Sequence, residues 1–375
     1  MSDPRWMIPA FALLLISLPG RASGQEPAPW HDPSPHKVQF VTVDDNVKLE
    51  VLDWGGSGRA LVLLAGLGNT AHIFDEFAPK LTSEYHVYDV TRRGYGASSA
   101  PASGYSADRL GDDVLAVLDA LKLDRPVLVG HSIAGEELSS IGSRHPERVA
   151  GLIYLDAGYS YAYYDHSLGN LDIDSRELQK NLEQLRTANT PQDQKQLIQE
   201  LQKSLPEFER DLQERQKDLQ AQPPMPPSWT AADLETFETW LSWGKKAFGI
   251  AVPVAELRQM RESTPDGHVG EIRGPIPTVP QAIIAGEEKY TDIRVPILAI
   301  FAIPHNLGPF ANNDPAARAA FEARDQATGE AQAKALERGV PSAHVVRLSH
   351  ASHYVYLSNE TDVLREVCAF VAGLH

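Results

Sequence analysis

Cysteine is almost absent from this chain. Cys368 is the one cysteine among 375 residues, so an intrachain disulfide, a CxxC pair and a cysteine metal site are all excluded. Because Cys368 falls in the apolar rhythm of the last predicted helix, we expect a small buried residue there. Stability must therefore come from the hydrophobic core. The sequence predicts no metal and no cofactor.

Basic residues are scarce relative to acidic ones. The chain has 34 Lys and Arg against 50 Asp and Glu, which gives a formal net charge of -16. A surface of that sign repels nucleic acid and anionic membranes, so we expect neither as a partner. The oligomeric state is left open.

Long apolar runs are missing except near the N-terminus. There Arg5 precedes an apolar run from Trp6 to Leu18, and small residues follow up to Gly24. The run is too short to span a bilayer comfortably. This pattern predicts a secretory signal peptide at residues 1–24, the alternative being a retained anchor. We therefore expect a secreted or periplasmic protein with no stable membrane insertion once the signal is removed.

The proline-rich residues 25–36 predict a flexible leader.

The chain as a whole has a globular composition, with 42% hydrophobic and 22% charged residues. A predicted β-hairpin comes first, at Lys37–Val43 and Val47–Trp54. Apolar runs that then alternate with helix-like segments predict the strands Leu61–Leu64, His86–Val90, Val127–Val129, Val149–Leu155, Val295–Phe301 and Ala343–Leu348. This alternation predicts an α/β fold with a mostly parallel, doubly wound sheet.

The alternation is interrupted over residues 157–292, which we interpret as a helical cap, or lid. Within it, leucines spaced three and four apart over Ser175–Gln220 predict two or three amphipathic helices, broken near Pro191 and Pro206. Thr230–Asp233 resembles a helix cap. The flanking segments, 37–156 and 293–375, then form one core domain.

A strand, a tight turn and a helix are predicted around Ser132. The sequence Gly130-His131-Ser132-Ile133-Ala134-Gly135 fits the pattern G-x-S-x-A/G, a nucleophile elbow, although a plain Gly–Ser turn can also produce it. In an elbow the serine is strained and its Oγ projects from the carboxyl end of the sheet. It also lies at a helix N-terminus, which favours developing negative charge.

Four segments in this order resemble the α/β-hydrolase fold family, specifically its lidded, esterase-like members. They are Leu64-Ala65-Gly66-Leu67-Gly68, Arg92-Arg93-Gly94-Tyr95-Gly96-Ala97-Ser98, Gly130–Gly135, and Ser349-His350-Ala351-Ser352-His353-Tyr354-Val355-Tyr356-Leu357. The resemblance extends through both core segments. It implies a helical cap on a parallel sheet and a triad in the order Ser, acid, His.

By this resemblance Ser132 is the nucleophile and His353 the base, with His350 as its competitor. Serine needs such a base because its hydroxyl is a poor nucleophile at its own pKa. The acid departs from the commonest pattern, since the loop after Val295–Phe301 carries His305 and no carboxylate before Asp314. Some relatives place the acid after the elbow's neighbouring strand, so we expect Asp156 as the acid and Asp314 as the alternative.

The resemblance also implies an oxyanion hole made by the backbone N–H groups of Leu67 and Ile133. Glu136 and Glu137, at the start of the elbow helix, are interpreted as acids that stabilise the helix dipole. Two further groups have open roles. Arg92 and Arg93 either bind a substrate carboxylate or pin the loop beside the elbow, and Tyr159, Tyr161, Tyr163 and Tyr164 either line an acyl pocket or pack the cap.

The resulting expectation is a serine hydrolase that cleaves an ester or related acyl bond of a small molecule through an acyl-enzyme. Ser132 argues against dehalogenase and epoxide-hydrolase chemistry, for which relatives carry aspartate at this position. Two alternatives stay open. One is amide, lactone, C–C or peroxide chemistry on the same triad, and the other is a catalytically silent ligand-binding homologue.

Overall fold

The computed structural model describes residues 30–264, 266–273 and 278–374. The predicted signal peptide, 1–24, and the first part of the predicted leader lie outside these residues. The described part of the leader, residues 30–36, contains neither helix nor strand. Within the described residues, no helix combines the length and apolarity needed to cross a membrane.

Eight strands form the main sheet, and a separate hairpin supplies two more. In chain order the strands are β1 (Lys37–Asp44), β2 (Val47–Gly55), β3 (Ala60–Leu64), β4 (His86–Val90), β5 (Val127–His131), β6 (Gly151–Leu155), β7 (Arg261–Ser263), β8 (Val269–Ile272), β9 (Ile297–Ala302) and β10 (Ala343–Leu348). The main sheet has the order β1-β2-β4-β3-β5-β6-β9-β10. Strand β2 pairs antiparallel with β1 and β4, and the other neighbours pair parallel. The predicted fold class is confirmed.

Ten α-helices accompany the strands among the described residues. They are α1 (Ala107–Ala120), α2 (Ala134–Arg144), α3 (Leu171–Thr187), α4 (Pro191–Gln220), α5 (Phe237–Phe248), α6 (Val254–Met260), α7 (Thr278–Ile284), α8 (Pro315–Gly339), α9 (Val355–Ser358) and α10 (Glu360–Ala372). Short 3₁₀ helices cover Ala71–Phe74, Ala78–Leu81, Pro146–Arg148 and Pro309–Asn313.

The core lies on both faces of the sheet. Along β3, Val62 and Leu64 pack into one hydrophobic cluster, whereas Leu61 and Leu63 pack into the other. This alternation follows from the two-residue side-chain period of a strand. Strands β5 and β6 are buried along their whole length, which explains why they appear in the sequence as unbroken apolar runs. Cys368 is half-buried instead of fully buried.

Helices α3 to α7 and the β7–β8 hairpin lie between β6 and β9, in the segment 157–292 that the sequence assigns to a cap. A helix break occurs before Pro191, as predicted, but the predicted break at Pro206 is wrong because α4 continues through it. A proline removes the hydrogen bond to the carbonyl four residues earlier. Here that residue is Gln202, which is exposed, so water can satisfy its carbonyl.

The predicted cap at Thr230–Asp233 is also wrong. There the carboxylate of Asp233 accepts hydrogen bonds from the backbone and hydroxyl of Thr230, which makes a turn. Helix α5 begins later, where Thr236 and Thr239 form a reciprocal capping box.

Candidate active site

Ser132 occupies the tight turn between β5 and α2. Its φ of +55° lies in the left-handed region, where a residue with a side chain is strained. A Cβ added at Gly130 would lie 2.9 Å from Leu138 Cδ1, and one added at Gly135 would lie 2.1 Å from the carbonyl oxygen of Ala157. Side chains at these positions would therefore collide, at Gly130 with the helix and at Gly135 with the loop after β6, which is the geometry of a nucleophile elbow.

Asp156 follows β6, the strand beside β5, and its carboxylate is fully buried. Its Oδ2 lies 2.6 Å from His353 Nδ1 and 2.7 Å from His305 Nε2. Its Oδ1 accepts hydrogen bonds from the Tyr159 hydroxyl at 2.8 Å and from the Ala302 N–H at 2.9 Å. Four donors thus fix the carboxylate. Burial raises the pKa of Asp156, but the two imidazoles and their hydrogen bonds outweigh burial and hold it well below its usual range.

His353 lies in the loop after β10 and is buried. Because its Nδ1 faces Asp156, its Nε2 is the nitrogen left for proton transfer. His131, the residue before Ser132, ties this loop to the elbow. Its Nε2 donates to the carbonyl oxygen of His353 at 3.0 Å, and the two rings lie 4.7 Å apart between centroids. Burial, with help from the nearby His353, lowers the pKa of His131 to about 3, so this imidazole is neutral.

The turn after β3 lies directly against the elbow. A Cβ added at Gly66 would lie 2.9 Å from His131 Nδ1 and 3.2 Å from Ser132 Cβ. Leu67 follows this glycine, and Ile133 follows the serine at the start of α2, where backbone N–H groups lack partners within the helix. The two residues predicted to supply the oxyanion hole therefore border the elbow from two sides.

Arg92 holds this turn in place. Its guanidinium donates to the carbonyl oxygens of Ala65 at 2.8 Å and Gly66 at 3.3 Å. The same group forms a two-point ion pair with Glu137, at 2.6 and 2.7 Å. Glu137 thus anchors Arg92 in addition to lying near the helix N-terminus.

Arg93 is equally engaged, in a buried two-point pair with Asp113. Of the two roles that the sequence left open for Arg92 and Arg93, the structure supports the pinning of the loop. Neither guanidinium faces a solvent-accessible site for a substrate carboxylate, because both side chains are buried.

Removing the arginine of the Arg92–Glu137 pair is expected to destabilise the fold strongly. Arg92→Met leaves the Glu137 carboxylate buried without its cation, which costs about 3–5 kcal/mol of unfolding free energy. Urea unfolding followed by circular dichroism measures the change. Arg365→Met, which breaks exposed pairs with Asp362 and Glu366, is the matched control and should leave stability unchanged. Equal effects of the two substitutions would contradict the prediction.

His305 stands where most relatives have the acid, and it belongs to the site. Its Nε2 contacts Asp156, while its Nδ1 lies 3.0 Å from both carboxylate oxygens of Asp325 on α8. The Asp325 carboxylate also accepts the backbone N–H of His305 at 2.6 Å. Burial acts to lower the pKa of His305, but the two carboxylates raise it well above its ordinary value. The sequence analysis missed this chain of groups.

The two competing residues lie elsewhere. His350 is exposed, and its backbone N–H donates to the carbonyl of Pro304. Asp314 is also exposed, and its carboxylate caps α8 by accepting the N–H of Ala317 at 3.0 Å. The imidazole–carboxylate hydrogen bond thus joins His353, the predicted base, to Asp156, the predicted acid, and neither His350 nor Asp314 takes part in it.

All four predicted tyrosines are buried: Tyr159, Tyr161, Tyr163 and Tyr164. The Tyr159 hydroxyl donates to Asp156 Oδ1, a contact that the sequence analysis did not foresee. Tyr164 donates to the carboxylate of Asp174 on α3, a hydrogen bond within the cap segment. An acyl pocket lined by tyrosines stays a prediction.

Helix α6 reaches the turn after β3 through Glu256. Its Oε1 accepts from Asn69 Nδ2 at 2.9 Å and from the Thr70 N–H at 3.0 Å, and its Oε2 lies 2.5 Å from the Thr70 hydroxyl. Burial raises the pKa of Glu256 to about 7, although these hydrogen bonds act to lower it. The residues that follow Leu67 are thus fixed by the cap segment.

Asp156, His305 and His353 also form a group compact enough to hold a metal ion. Their contacts of 2.6 and 2.7 Å are those of charge-assisted hydrogen bonds, since ligand atoms around one ion lie farther apart. The geometry of this group is that of a hydrogen-bonded network.

Comparisons with known proteins agree with the architecture. The family model described as alpha/beta hydrolase fold matches residues 59–360. A fluoroacetate dehalogenase from Burkholderia sp. is 34% identical over 116 residues, which cover 30% of this chain and 38% of that protein. A 2-(acetamidomethylene)succinate hydrolase from Mesorhizobium japonicum is 26% identical over 101 residues, covering 27% of this chain and 36% of that protein. The chain thus spans less than two fifths of the length of either relative.

A solved structure of E-2-(acetamidomethylene)succinate hydrolase superposes with a TM-score of 0.54 and 17% identity, covering 90% of this chain and all of that one. At that identity the likeness concerns the fold.

Proposed function

The chain belongs to the α/β-hydrolase fold family, and from that premise we propose that it cleaves an ester or related acyl bond of a small molecule through an acyl-enzyme on Ser132. The observation that carries this proposal is the 2.6 Å contact between His353 Nδ1 and Asp156 Oδ2. It supports a base whose other nitrogen serves the elbow. A serine at the elbow also distinguishes this chain from relatives that use aspartate there.

The proposed reaction has two halves. Ser132 Oγ attacks the acyl carbon while His353 Nε2 takes the hydroxyl proton, and the Leu67 and Ile133 N–H groups bind the oxyanion. The tetrahedral intermediate collapses to an acyl-enzyme when His353 returns the proton to the leaving alcohol. Water then attacks the acyl carbon, with His353 again as base, and a carboxylic acid leaves while Ser132 regains its proton.

Asp156 serves both halves by stabilising the imidazolium that forms on His353. It shares its Oδ2 with a second imidazole, His305, whose positive charge on its own would weaken that stabilisation. Asp325 lies on the far side of His305 and compensates its charge. We propose that His305 and Asp325 are positioning residues, which hold the carboxylate of Asp156 without touching substrate.

Labelling with a fluorophosphonate tests the nucleophile directly, because the reagent phosphonylates only an activated serine. We expect one label per folded chain, detected by intact mass, and none on Ser132→Ala. Ser242→Ala, on the exposed surface of α5, is the matched control and should be labelled like the wild type.

Two results would refute the assignment. Equal labelling of Ser132→Ala would place the reactive serine elsewhere, and an unlabelled folded wild type would favour a silent ligand-binding homologue. For a labelled protein, rates on p-nitrophenyl esters, lactones and aminoacyl amides then separate ester cleavage from the other reactions of the same triad.

A further inference from the structure

Four metal-ligating side chains meet where the leader crosses the first 3₁₀ helix, far from the triad in the chain. Asp32 and His36 come from the segment before β1, and His72 and Asp75 from the 3₁₀ helix and its end. One ligand atom from each lies within 4.8 Å of all the others. We call these four residues the leader cluster. The His36, His72 and Asp75 side chains are at most 4% exposed, and that of Asp32 is 18% exposed.

The imidazole–carboxylate contacts inside the leader cluster are longer than those of Asp156 in the active site, and one of them, from His36 Nε2 to Asp32 Oδ2, is a long hydrogen bond of 3.3 Å. His72 Nδ1 lies 3.1 Å from Asp32 Oδ2 and 3.5 Å from Asp75 Oδ2, and His36 Nε2 lies 3.3 Å from Asp32 Oδ2. A tetrahedral Zn²⁺ with bonds of about 2.0–2.1 Å separates its ligand atoms by about 3.3–3.4 Å. The observed separations fall around that value.

The active site provides an internal comparison. There, the imidazoles of His353 and His305 lie 2.6 and 2.7 Å from Asp156, as in charge-assisted hydrogen bonds, and His305 lies 3.0 Å from Asp325. Among the described residues, by contrast, no hydrogen bond of normal geometry reaches the buried Nδ1 of His72, although two carboxylates face it. The two carboxylates therefore lie on the Nδ1 side of the His72 ring, each more than 3 Å from that nitrogen.

We propose that the leader cluster is a structural Zn²⁺ site with two imidazole and two carboxylate ligands. Bound to zinc, the two imidazoles would be neutral and the two carboxylates would carry two negative charges, which one divalent ion neutralises in this largely buried place. Four protein ligands fill a tetrahedral shell and leave no position for water or substrate, which is typical of structural zinc.

Neighbouring groups are placed to orient the ligands. The Ser34 hydroxyl donates to Asp75 Oδ2 at 2.8 Å. The other ring nitrogen of His72, Nε2, lies 3.3 Å from the side-chain amide nitrogen of Gln259 on α6 and 3.8 Å from Glu50 Oε1. A zinc-bound histidine commonly points its second N–H at a carboxylate, and Glu50 is the carboxylate on that side of the His72 ring.

The site would fasten the leader to the core. His72 lies two residues after Thr70, which Glu256 holds beside the oxyanion turn. Loss of the ion would therefore release residues 32–36 and lower stability, while the triad would keep its own contacts. The inference does not depend on the proposed hydrolysis.

Metal analysis of the full-length protein after chelator treatment, reloading with ZnCl₂ and desalting tests this site. We expect about one Zn²⁺ per chain. Zinc should also raise the melting temperature of the apo-protein by about 5 °C. The double variant Asp32→Asn/His36→Gln should retain less than about a tenth of an equivalent and show no zinc-dependent shift.

The matched control breaks a histidine–aspartate pair of the sheet, His86 with Asp53, whose atoms lie 2.8 Å apart. Asp53→Asn/His86→Gln should bind zinc like the wild type. Since Asp32 and His36 precede the first strand, their substitution is compatible with folding, which circular dichroism verifies. The single variant His36→Gln, titrated with zinc in competition with a chromophoric chelator, gives a second measure of zinc affinity. Zinc retained by the double variant, or a reloaded wild type without stoichiometric zinc, would overturn the proposal.

Discussion

Replacement of Ser132 by Ala is expected to lower kcat/KM for the best p-nitrophenyl ester by about 10⁶-fold. The hydroxyl forms the covalent bond to the acyl group, and no other side chain at the elbow can replace it. The variant keeps only substrate binding and the N–H donors of the proposed oxyanion hole, which together account for a small residual rate. Because Ser132 does not touch the groups that fix Asp156, the folded structure should persist. Initial rates with purified variant and wild type measure the effect.

His353→Ala provides the complementary test, since the serine and its base act as a unit. The decrease in kcat/KM should be similar in size to that of Ser132→Ala. The double variant Ser132→Ala/His353→Ala should have a kcat/KM little lower than that of either single variant. Losses that multiply would show that the two residues work independently. A variant at Ser132 that keeps more than about a tenth of the wild-type rate would refute the nucleophile.

The fold could be predicted because most strands are marked by residues that are adjacent in the sequence. Parallel strands covered on both faces must be apolar, so they stand out as short runs. The sequence predicts β4 and β10 with the bounds that the structure has. The elbow is equally local, since the close approach of β5 and α2 demands small residues at fixed positions around Ser132.

The His305–Asp325 pair could not be predicted in the same way, because it depends on how α8 docks on the sheet. A signal does exist in the sequence. The buried face of α8 includes Phe321, Asp325, Gly329 and Ala333, at intervals of four residues. A carboxylate in the middle of such a face requires a partner, since a buried charge without one is costly. That reasoning would have led to a histidine at the neighbouring strand end.

The cap segment was predicted least well, for a related reason. The β7–β8 hairpin has strands of three and four residues, too short to show an alternating pattern. The contact between Glu256 and Thr70 joins residues 186 positions apart. The leader cluster is similar, because its four ligands come from two segments that only the fold brings together.

The geometry of Asp156 leads to the second large effect. Asp156→Asn is expected to lower kcat/KM by about 10⁴-fold, with little change in KM. In the wild type, Oδ2 accepts from His353 Nδ1 and from His305 Nε2. An amide nitrogen at that place donates instead, so His353 must accept at Nδ1 and carry its proton on Nε2. That tautomer cannot take the serine proton.

The carboxylate at the alternative position supplies the matched control for this prediction. Asp314→Asn replaces the exposed N-cap of α8 by a residue that caps equally well, so it should leave stability unchanged and kcat/KM within about twofold of the wild type. The kcat/KM of His305→Gln should lie between those of Asp314→Asn and Asp156→Asn. This substitution removes one neighbour of Asp156 but leaves the contact between Asp156 and His353. The reverse order, with Asp314→Asn inactive and Asp156→Asn nearly intact, would move the acid to α8 and remove the observation on which the proposed hydrolysis depends.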